Sequence, residues 1–369
     1  MKKILIIATV DSHIKTFHQD FIKKLVNLGW QVDTISNGDS SVEGINTKYD
    51  IDISRSPFKL KNLKAISKIR RIIDENNYDI VHSHTPIGGV LGRLANERKS
   101  TLKVYTAHGF HFYKGAPLIN WLIYYPIEKI LSKKTDVLLT INNEDYKRAI
   151  KKFKAAKIYQ INGVGIRFDK FDYIDKHPEV KLENSSSGED FILTSIGELN
   201  DNKNQIFTIK SLIPLFRKYE QLKYYIVGSG RNKDKLIKLI NKFKLENSVF
   251  LLGYRKDIPF LLSKTNMLVS SSKREGLAVN VIEAMRMKCI ILVSDIRGHN
   301  DLISDNVNGF IYKSQNRKNF QSKFTYIMEN YNKLDFILNN AFESTSTYDV
   351  DLINNKIVDI YMKELERKV

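Results

Sequence analysis

Two doubly wound α/β halves, each a parallel sheet with helices on both faces, are what this sequence predicts, and three observations predict them. Short apolar runs alternate with stretches of helical periodicity through most of the chain, the pattern of a parallel sheet covered on both sides. The alternation lapses once, near the middle, and resumes. The length of 369 residues suits two domains, at roughly 100–200 residues each.

The elements follow in order. Ile4–Thr9 is a continuous apolar run, as expected of a strand buried on both faces. Ile14, Phe17, Phe21, Leu25 and Leu28 recur at helical spacing, and Gly29 stops that helix. Gln31–Ile35 reads as the second strand. Leu60, Leu63, Ile66, Ile69 and Ile73 mark a helix before strand Asp79–His82. A short helix near Gly88–Asn96 leads to strand Leu102–Thr106, and a long helix from Pro117 to Lys134 to strand Asp136–Ile141. Helix Glu144–Lys152 and strand Lys157–Ile161 complete the first half.

From Asn162 to Asp190 no periodicity is sustained, and Asn184–Gly188 is polar and turn-rich. Strands resume at Phe191–Ile196, Lys223–Val227, Val249–Leu252, Met267–Ser270 and Ile290–Val293, with helices between them. The expected division is an N-terminal domain over 1–165, a linker region over 166–190 and a C-terminal domain over 191–369. The last helix, about 350–369, is expected to pack back on the N-terminal domain. In such sheets ligands bind at the carboxyl ends of the strands.

Composition narrows the function classes. Hydrophobic residues at 42% and charged residues at 27% exclude a disordered chain or a fibre. The longest candidate for a membrane span, Ala116–Ile127, is interrupted by Asn120 and is short of the roughly 20 residues needed. Met1-Lys2-Lys3 followed by Ile4–Val10 has the look of a leader. The apolar stretch is short, however, it lacks a small-residue cleavage pattern, and Asp11 follows it directly. The lone Cys289 cannot form an internal disulfide, so a cytoplasmic location is expected. Lys plus Arg number 59 against 41 acids, a net charge of +18, which points to a polyanionic partner. The densest patch is Lys147, Arg148, Lys151, Lys152, Lys154 and Lys157. It reads either as a solvated helix face or as a docking surface.

Common nucleotide signatures are missing. No G-x-x-x-x-G-K-[ST] is present, and Gly228-Ser229-Gly230 fails to complete G-x-G-x-x-G because Lys233 occupies the last glycine position. That turn is equally well a plain strand exit. The informative segment is Ser270–Lys288. A polar loop holding Glu275 and Gly276 leads into a helix near Ala278 that is apolar almost all round. Glu283 sits in the middle of that helix. A buried carboxylate needs a partner: either a structural Arg or Lys, or a ligand such as the vicinal hydroxyls of a ribose. The helix start, reached through Gly276, offers free N–H groups to a phosphate.

Glu275 and Glu283, in the setting R-E-G-L-A-V-N-V-I-E-A-M, resemble the E-x7-E signature of the retaining glycosyltransferases of family 4. The resemblance extends over nearly the whole chain: A-T-V-D-S-H-I-K-T-F-H, T-A-H-G-F-H-F-Y-K-G-A-P, I-N-G-V-G-I, G-E-L-N-D-N-K-N-Q, F-L-L-G-Y-R and S-D-I-R-G-H are similar to the capsular polysaccharide and exopolysaccharide branch. It implies the GT-B fold, two Rossmann-like domains facing each other across a cleft, the first binding acceptor and the second the nucleotide sugar. It places His108, Lys203 and Glu275 at the reacting centre: Glu275 on the donor sugar's hydroxyls and Lys203 against the donor diphosphate. It places Glu283 on the ribose, the backbone of Gly276, Leu277, Ala278 and Val279 over the diphosphate, and Tyr254 and Arg255 near the base. Ser12, His13 and His111 would line the acceptor side. Two positions depart from the family: its usual arginine after the second domain's first strand is Glu198 here, and its glycine pair after the first strand is Asp11-Ser12-His13. Arg274 or Arg297 is a candidate to replace that positive charge.

Six of the eight histidines fall in the first half at or beyond strand ends. His82 and His84 lie two apart on one strand face and invite a zinc reading, but no carboxylate completes a ligand set, and no metal or other cofactor is expected. His108 is either the reaction-centre residue or a packed one. The resemblance implies transfer of a hexose or N-acetylhexosamine from a nucleotide sugar, a UDP-sugar foremost, to a polyprenyl-diphosphate-linked saccharide. Front-face transfer is expected, since no close carboxylate pair for double displacement is evident. The basic run and the Trp121, Tyr124 and Tyr125 helix, kinked at Pro126, then read as a face for the anionic inner leaflet of the cell membrane, or the helix is an ordinary core element. Rival readings are a non-hydrolysing UDP-sugar epimerase, a glycogen-type glucosyltransferase, and a non-enzymatic module for anionic surfaces or nucleic acid. The last leaves Glu283 unexplained, so no nucleic-acid partner is expected.

Overall fold

In the computed structural model, residues 1–54, 59–171 and 190–368 are described. They form two units, residues 1–165 with 350–369 and residues 166–349. Of the segment expected to link the domains, residues 172–189 lie outside the described residues. Residues 166–171 belong to the second unit, where Ile166 bridges Asp349.

The first unit is built on a parallel sheet of order β3-β2-β1-β4-β5-β6-β7. Its strands are β1 (Lys3–Val10), β2 (Gln31–Asn37), β3 (Thr47–Asp50), β4 (Ile80–Ser83), β5 (Leu102–Ala107), β6 (Val137–Thr140) and β7 (Lys157–Gln160). The helices are α1 (Asp11–Phe17), α2 (Gln19–Asn27), α3 (Lys61–Asn76), α4 (Pro86–Ala95), α5 (Leu118–Ser132) and α6 (Asn143–Lys152). Leu5, Ile7, Ile35 and Val81 of the sheet pack against Ala65, Ile69 and Ile73 of α3 and Leu91 of α4.

Two features differ from the sequence expectation. The helix expected across Ile14–Leu28 breaks at His18, whose φ of −127° ends α1 and precedes α2. The apolar period runs through the break because both helices cover the same sheet. Strand β3 was not anticipated: T-K-Y-D is polar, and an edge strand with half-exposed side chains carries no apolar run.

The second unit carries a parallel sheet of order β10-β9-β8-β11-β12-β13. Its elements are β8 (Phe191–Ile196), α7 (Gln205–Lys218), β9 (Leu222–Val227), α8 (Lys233–Phe243), β10 (Val249–Gly253), α9 (Ile258–Ser263), β11 (Met267–Ser270), α10 (Val279–Arg286), β12 (Ile290–Ser294), β13 (Phe310–Tyr312), α11 (Arg317–Asn330) and α12 (Asp335–Ser344). Leu193, Tyr224, Ile226, Val269 and Leu292 face Leu212 of α7, Leu236 of α8 and Phe320 of α11. On the opposite face Leu268, Ile291 and Val293 cover Val281, Ile282 and Met285 of α10. At three residues, β13 is too short to announce itself in sequence.

The final helix, α13 (Val350–Glu366), belongs to the first unit. Tyr361 is fully buried with its hydroxyl on His82 Nδ1, Tyr159 donates to Glu364 at 2.6 Å, and Lys368 donates to the Thr101 carbonyl at 2.6 Å.

Candidate active site

In each sheet the strand order reverses beside the first strand, at β1 with β4 and at β8 with β11. Such a switch point leaves a crevice beyond the carboxyl ends of the strands. Most of the residues singled out above lie at or just beyond those ends.

In the second unit the loop after β8 and the loop after β11 are laced together. Asn200 Oδ1 accepts from the amides of Asn202 and Lys203, at 3.0 and 2.9 Å, and shapes the first loop. Lys273 N donates to the Asn202 carbonyl (2.8 Å), and Asn202 Nδ2 donates to the Arg274 carbonyl (3.0 Å). This framework brings Lys203 Nζ to 2.7 Å from Glu275 Oε1, with both side chains mostly buried. Burial alone pushes the Glu275 carboxyl up, but Lys203, His299 and a hydrogen bond from Ser272 outweigh it and hold its pKa below the ordinary value. Glycine is needed where the exit of β9 runs against the exit of β8. Gly228 has φ of +138°, and a Cβ there would run into the Gly197 carbonyl.

The loop from Gly276 leads into α10, whose start has no side-chain cap and no acid in its first turn. The amides of Val281 and Ile282 turn back to the Ala278 carbonyl at 3.0 and 3.3 Å, and those before them remain available to an anion. Asn280 anchors this helix start by donating to the Ile196 carbonyl at the end of β8 (2.9 Å). Further along α10, Glu283 is half-buried, and among the described residues it has no hydrogen-bonding or ion-pair partner. Burial raises its carboxyl to about 7, with Lys170 pulling weakly the other way. The structural salt bridge offered as one reading of Glu283 is absent among the described residues.

Tyr254 is exposed just beyond β10, and Arg255 forms a two-point pair with Asp257 at 2.8 and 2.6 Å. Glu198 is exposed. Arg297 donates from Nε to the Glu275 carbonyl at 3.3 Å, which places a guanidinium on the Glu275 loop.

His299, within S-D-I-R-G-H, is a site residue that the sequence does not single out. It is fully buried, its Nδ1 donates to the Ser294 carbonyl at 2.9 Å, and its Nε2 is buried without a hydrogen-bond partner among the described residues. Burial lowers its pKa to about 4, opposed by Glu275. Its neighbour Gly298 has φ of +84°, and a Cβ there would press on the Glu275 backbone. The available signal was a lone histidine following a glycine at a strand exit.

In the first unit the imidazoles of His13, His18, His84 and His108 assemble beyond β1, β4 and β5, next to His82 within β4. His13 Nε2 and His18 Nε2 are 3.3 Å apart, His84 Nδ1 and His108 Nε2 are 3.1 Å apart, and the rings of His18 and His84 lie 3.9 Å apart. Burial lowers every one of these pKa values, His13 to about 4 and His82 and His108 to about 3, and neighbouring imidazoles add to the lowering at His18, His84 and His108. The rings are neutral at physiological pH. His82 is turned away, its Nε2 on Thr106 Oγ1 at 2.7 Å and its Nδ1 on Tyr361. His111 stands apart, stacked on Tyr124 at 4.6 Å, and Ser12 is exposed on α1.

No helix among the described residues is long and apolar enough to cross a membrane. On α5, Leu118, Ile119 and Leu122 are exposed. A groove lined by Trp121, Tyr125, Lys147, Arg148, Lys151 and Lys152 joins that helix to α6.

Comparison with known proteins gives a consistent result. The model of the group 1 glycosyl transferases matches residues 177–344, and that of the glycosyl transferase 4-like family matches residues 3–142. A putative glycosyltransferase of Bacillus subtilis, EpsD, is 41% identical over 85% of this chain and 84% of its own. The UDP-Gal:alpha-D-GlcNAc-diphosphoundecaprenol alpha-1,3-galactosyltransferase of Escherichia coli is 26% identical over 84% of this chain and 81% of its own. In structure, a glycosyltransferase of Rickettsia africae superposes with a TM-score of 0.79 at 21% identity, covering 99% of this chain and 98% of that one. Anabaena Alr3699/HepE, solved in complex with UDP, gives 0.78 at 18% identity, covering 98% and 100%.

Proposed function

The chain belongs to the glycosyltransferase 4 family, hexosyltransferases of the GT-B fold, and on that premise we propose that it moves a hexose or N-acetylhexosamine from a UDP-sugar onto a lipid-linked saccharide, with retention of configuration, in surface polysaccharide synthesis. The observation that carries this reading is the second unit's constellation: a Lys203–Glu275 pair beside a loop entering the uncapped start of α10, with Glu283, unpartnered among the described residues, farther along that helix. The E. coli relative's name supports a UDP-sugar donor and a diphosphoundecaprenol-linked acceptor, and UDP in the Anabaena neighbour agrees with the donor.

In this reading the donor diphosphate meets Lys203 and the amides of Gly276, Leu277, Ala278 and Val279. Those groups stabilise the charge that develops on the departing UDP, and a preorganised cradle of this kind does the largest share of the work. No metal enters that step. Glu283, once ionised, accepts both ribose hydroxyls. Glu275, held ionised by Lys203, orients the donor sugar through its hydroxyls. Tyr254 and Arg255 adjoin the base, and His108, with Ser12, His13 and His111 nearby in sequence or space, serves the acceptor side. The acceptor hydroxyl attacks from the face the diphosphate leaves.

A peripheral place on the inner membrane face is supported by the exposed apolar side chains of α5 beside the lysines of α6. Each basic group close to an anionic leaflet contributes about 1 kcal/mol. The experiment is a panel of UDP-sugars assayed for UDP release with and without a polyprenyl-diphosphate acceptor. Acceptor-dependent release from one donor supports the reading, and release that ignores acceptor argues against it.

A further inference from the structure

We infer that the histidine cluster of the first unit binds one divalent transition-metal cation of the zinc class, with His13, His18 and His108 as ligands. The donor cradle belongs to the second unit, whereas this site lies in the first and takes as ligands His13 and His108, which the proposed function sets on the acceptor side.

The ligand atoms come from three places brought together by the fold: the start of α1 beyond β1, the break between α1 and α2, and the exit of β5. Their ring nitrogens all lie within 4.8 Å of one another. The 3.3 Å between His13 Nε2 and His18 Nε2 is longer than most N–H hydrogen bonds. It equals the spacing of about 3.3 Å between two nitrogens that share a tetrahedral ion at about 2.0–2.1 Å. That pair is spaced for a cation, and a ring nitrogen of His108 lies within 4.8 Å of both.

The surroundings also suit a metal. His84 Nδ1 meets His108 Nε2 at 3.1 Å and fixes that ring, the usual part of an outer-sphere partner. Its own Nε2 is buried and has no partner among the described residues. The break at His18 aims a polar ring inward where the helix period would place an apolar one. An all-imidazole set favours zinc, copper, nickel or cobalt over magnesium or calcium, which prefer oxygen. His18 is buried while His13 and His108 are half-exposed, which leaves a route of entry and a fourth position open to water or an oxygen ligand.

The test uses the full-length, tag-free protein stripped with a chelator. Titration with Co²⁺ is followed by visible absorption, and titration with Zn²⁺ by calorimetry. The expected result is one equivalent bound, with the visible bands of a four- or five-coordinate cobalt site that Zn²⁺ abolishes and Mg²⁺ leaves unchanged. His13→Gln and His108→Asn should each weaken binding at least 10-fold, and His84→Gln by roughly 10–100-fold as an outer-sphere change. His111→Gln should bind as wild type. Circular dichroism confirms the fold of each variant, and the wild-type cobalt spectrum decides the matter without them. Absence of cobalt bands in the wild type overturns the inference, and so does one equivalent bound unchanged by His13→Gln and His108→Asn.

Discussion

Lys203 Nζ donates to Glu275 Oε1 at 2.7 Å across 72 residues of sequence. The cation assigned to the leaving diphosphate is thus also the one that keeps the Glu275 carboxyl ionised in a buried place. Lys203→Ala removes both effects. Turnover should fall about 100-fold or more, the size expected for loss of one transition-state donor. Steady-state UDP release checks this, and wild-type turnover in the variant contradicts the leaving-group role.

The two glutamates should separate by what they bind. Glu283→Gln should weaken UDP binding by about 1–3 kcal/mol, the range for a hydrogen bond to a charged group. Glu275→Ala should spare UDP binding and abolish transfer. Calorimetric titration with UDP distinguishes them, and equal losses in both contradict the division.

Glu283 also predicts a pH dependence. Its carboxyl is raised to about 7 in the folded protein, above the ordinary value. The folded state therefore holds the proton more tightly, and this contribution to stability is present at low pH and lost as pH rises toward 7 and beyond. Glu283→Gln should accordingly raise the melting temperature relative to wild type more at pH 8 than at pH 5. UDP affinity of the wild type should increase between pH 6 and pH 8, a trend the variant should lack. Parallel profiles for the two proteins contradict the assignment.

The histidine cluster titrates in the opposite sense. Burial depresses His13 to about 4 and His82 and His108 to about 3, and holds His18 well below its ordinary value, so the unfolded chain binds more protons below about 6.5. Their contribution is complete above that pH and is lost as pH falls through the folded values. In the presence of a chelator the chain should lose stability steeply between about pH 6.5 and 4. His13→Gln should flatten the slope, as measured by denaturant unfolding at a series of pH values. An unchanged slope contradicts the burial argument.

Much of this was legible in the sequence because buried parallel strands are written as apolar runs. Ile4–Thr9, Phe191–Ile196 and Met267–Ser270 all lie in strands. What was not legible lacked that signature. The edge strand Thr47–Asp50 shares its polar character with loops, and Phe310–Tyr312 is too short for a period of two to register. The break at His18 is hidden because Ile14, Phe21 and Leu25 keep one helical phase across it. At the site, Glu283 was marked by a carboxylate amid apolar neighbours. The Lys203–Glu275 pair was not visible as a pair, since only strand order brings the β8 and β11 loops together. His299 carried too little local pattern to be given a role.

The basic face gives a further prediction. Reversing Lys151, Lys152 and Lys154 to Glu, or changing the exposed Leu118 and Leu122 to Ser, should sharply reduce binding to anionic vesicles. Activity on a lipid-linked acceptor should fall with it, while UDP affinity stays near wild type. If vesicle binding and lipid-acceptor activity both survive, α6 is only a solvated helix face.

The central claim is transfer from a UDP-sugar to a lipid-linked saccharide with retention, and product analysis tests it most directly. The protein is incubated with each UDP-sugar and a polyprenyl-diphosphate-linked monosaccharide, and the lipid product is analysed by mass spectrometry and NMR. The account predicts that one donor yields a lipid-linked disaccharide whose new linkage keeps the donor's anomeric configuration, with one UDP released per product. An inverted linkage, or a free nucleotide sugar altered without any lipid product, would contradict it.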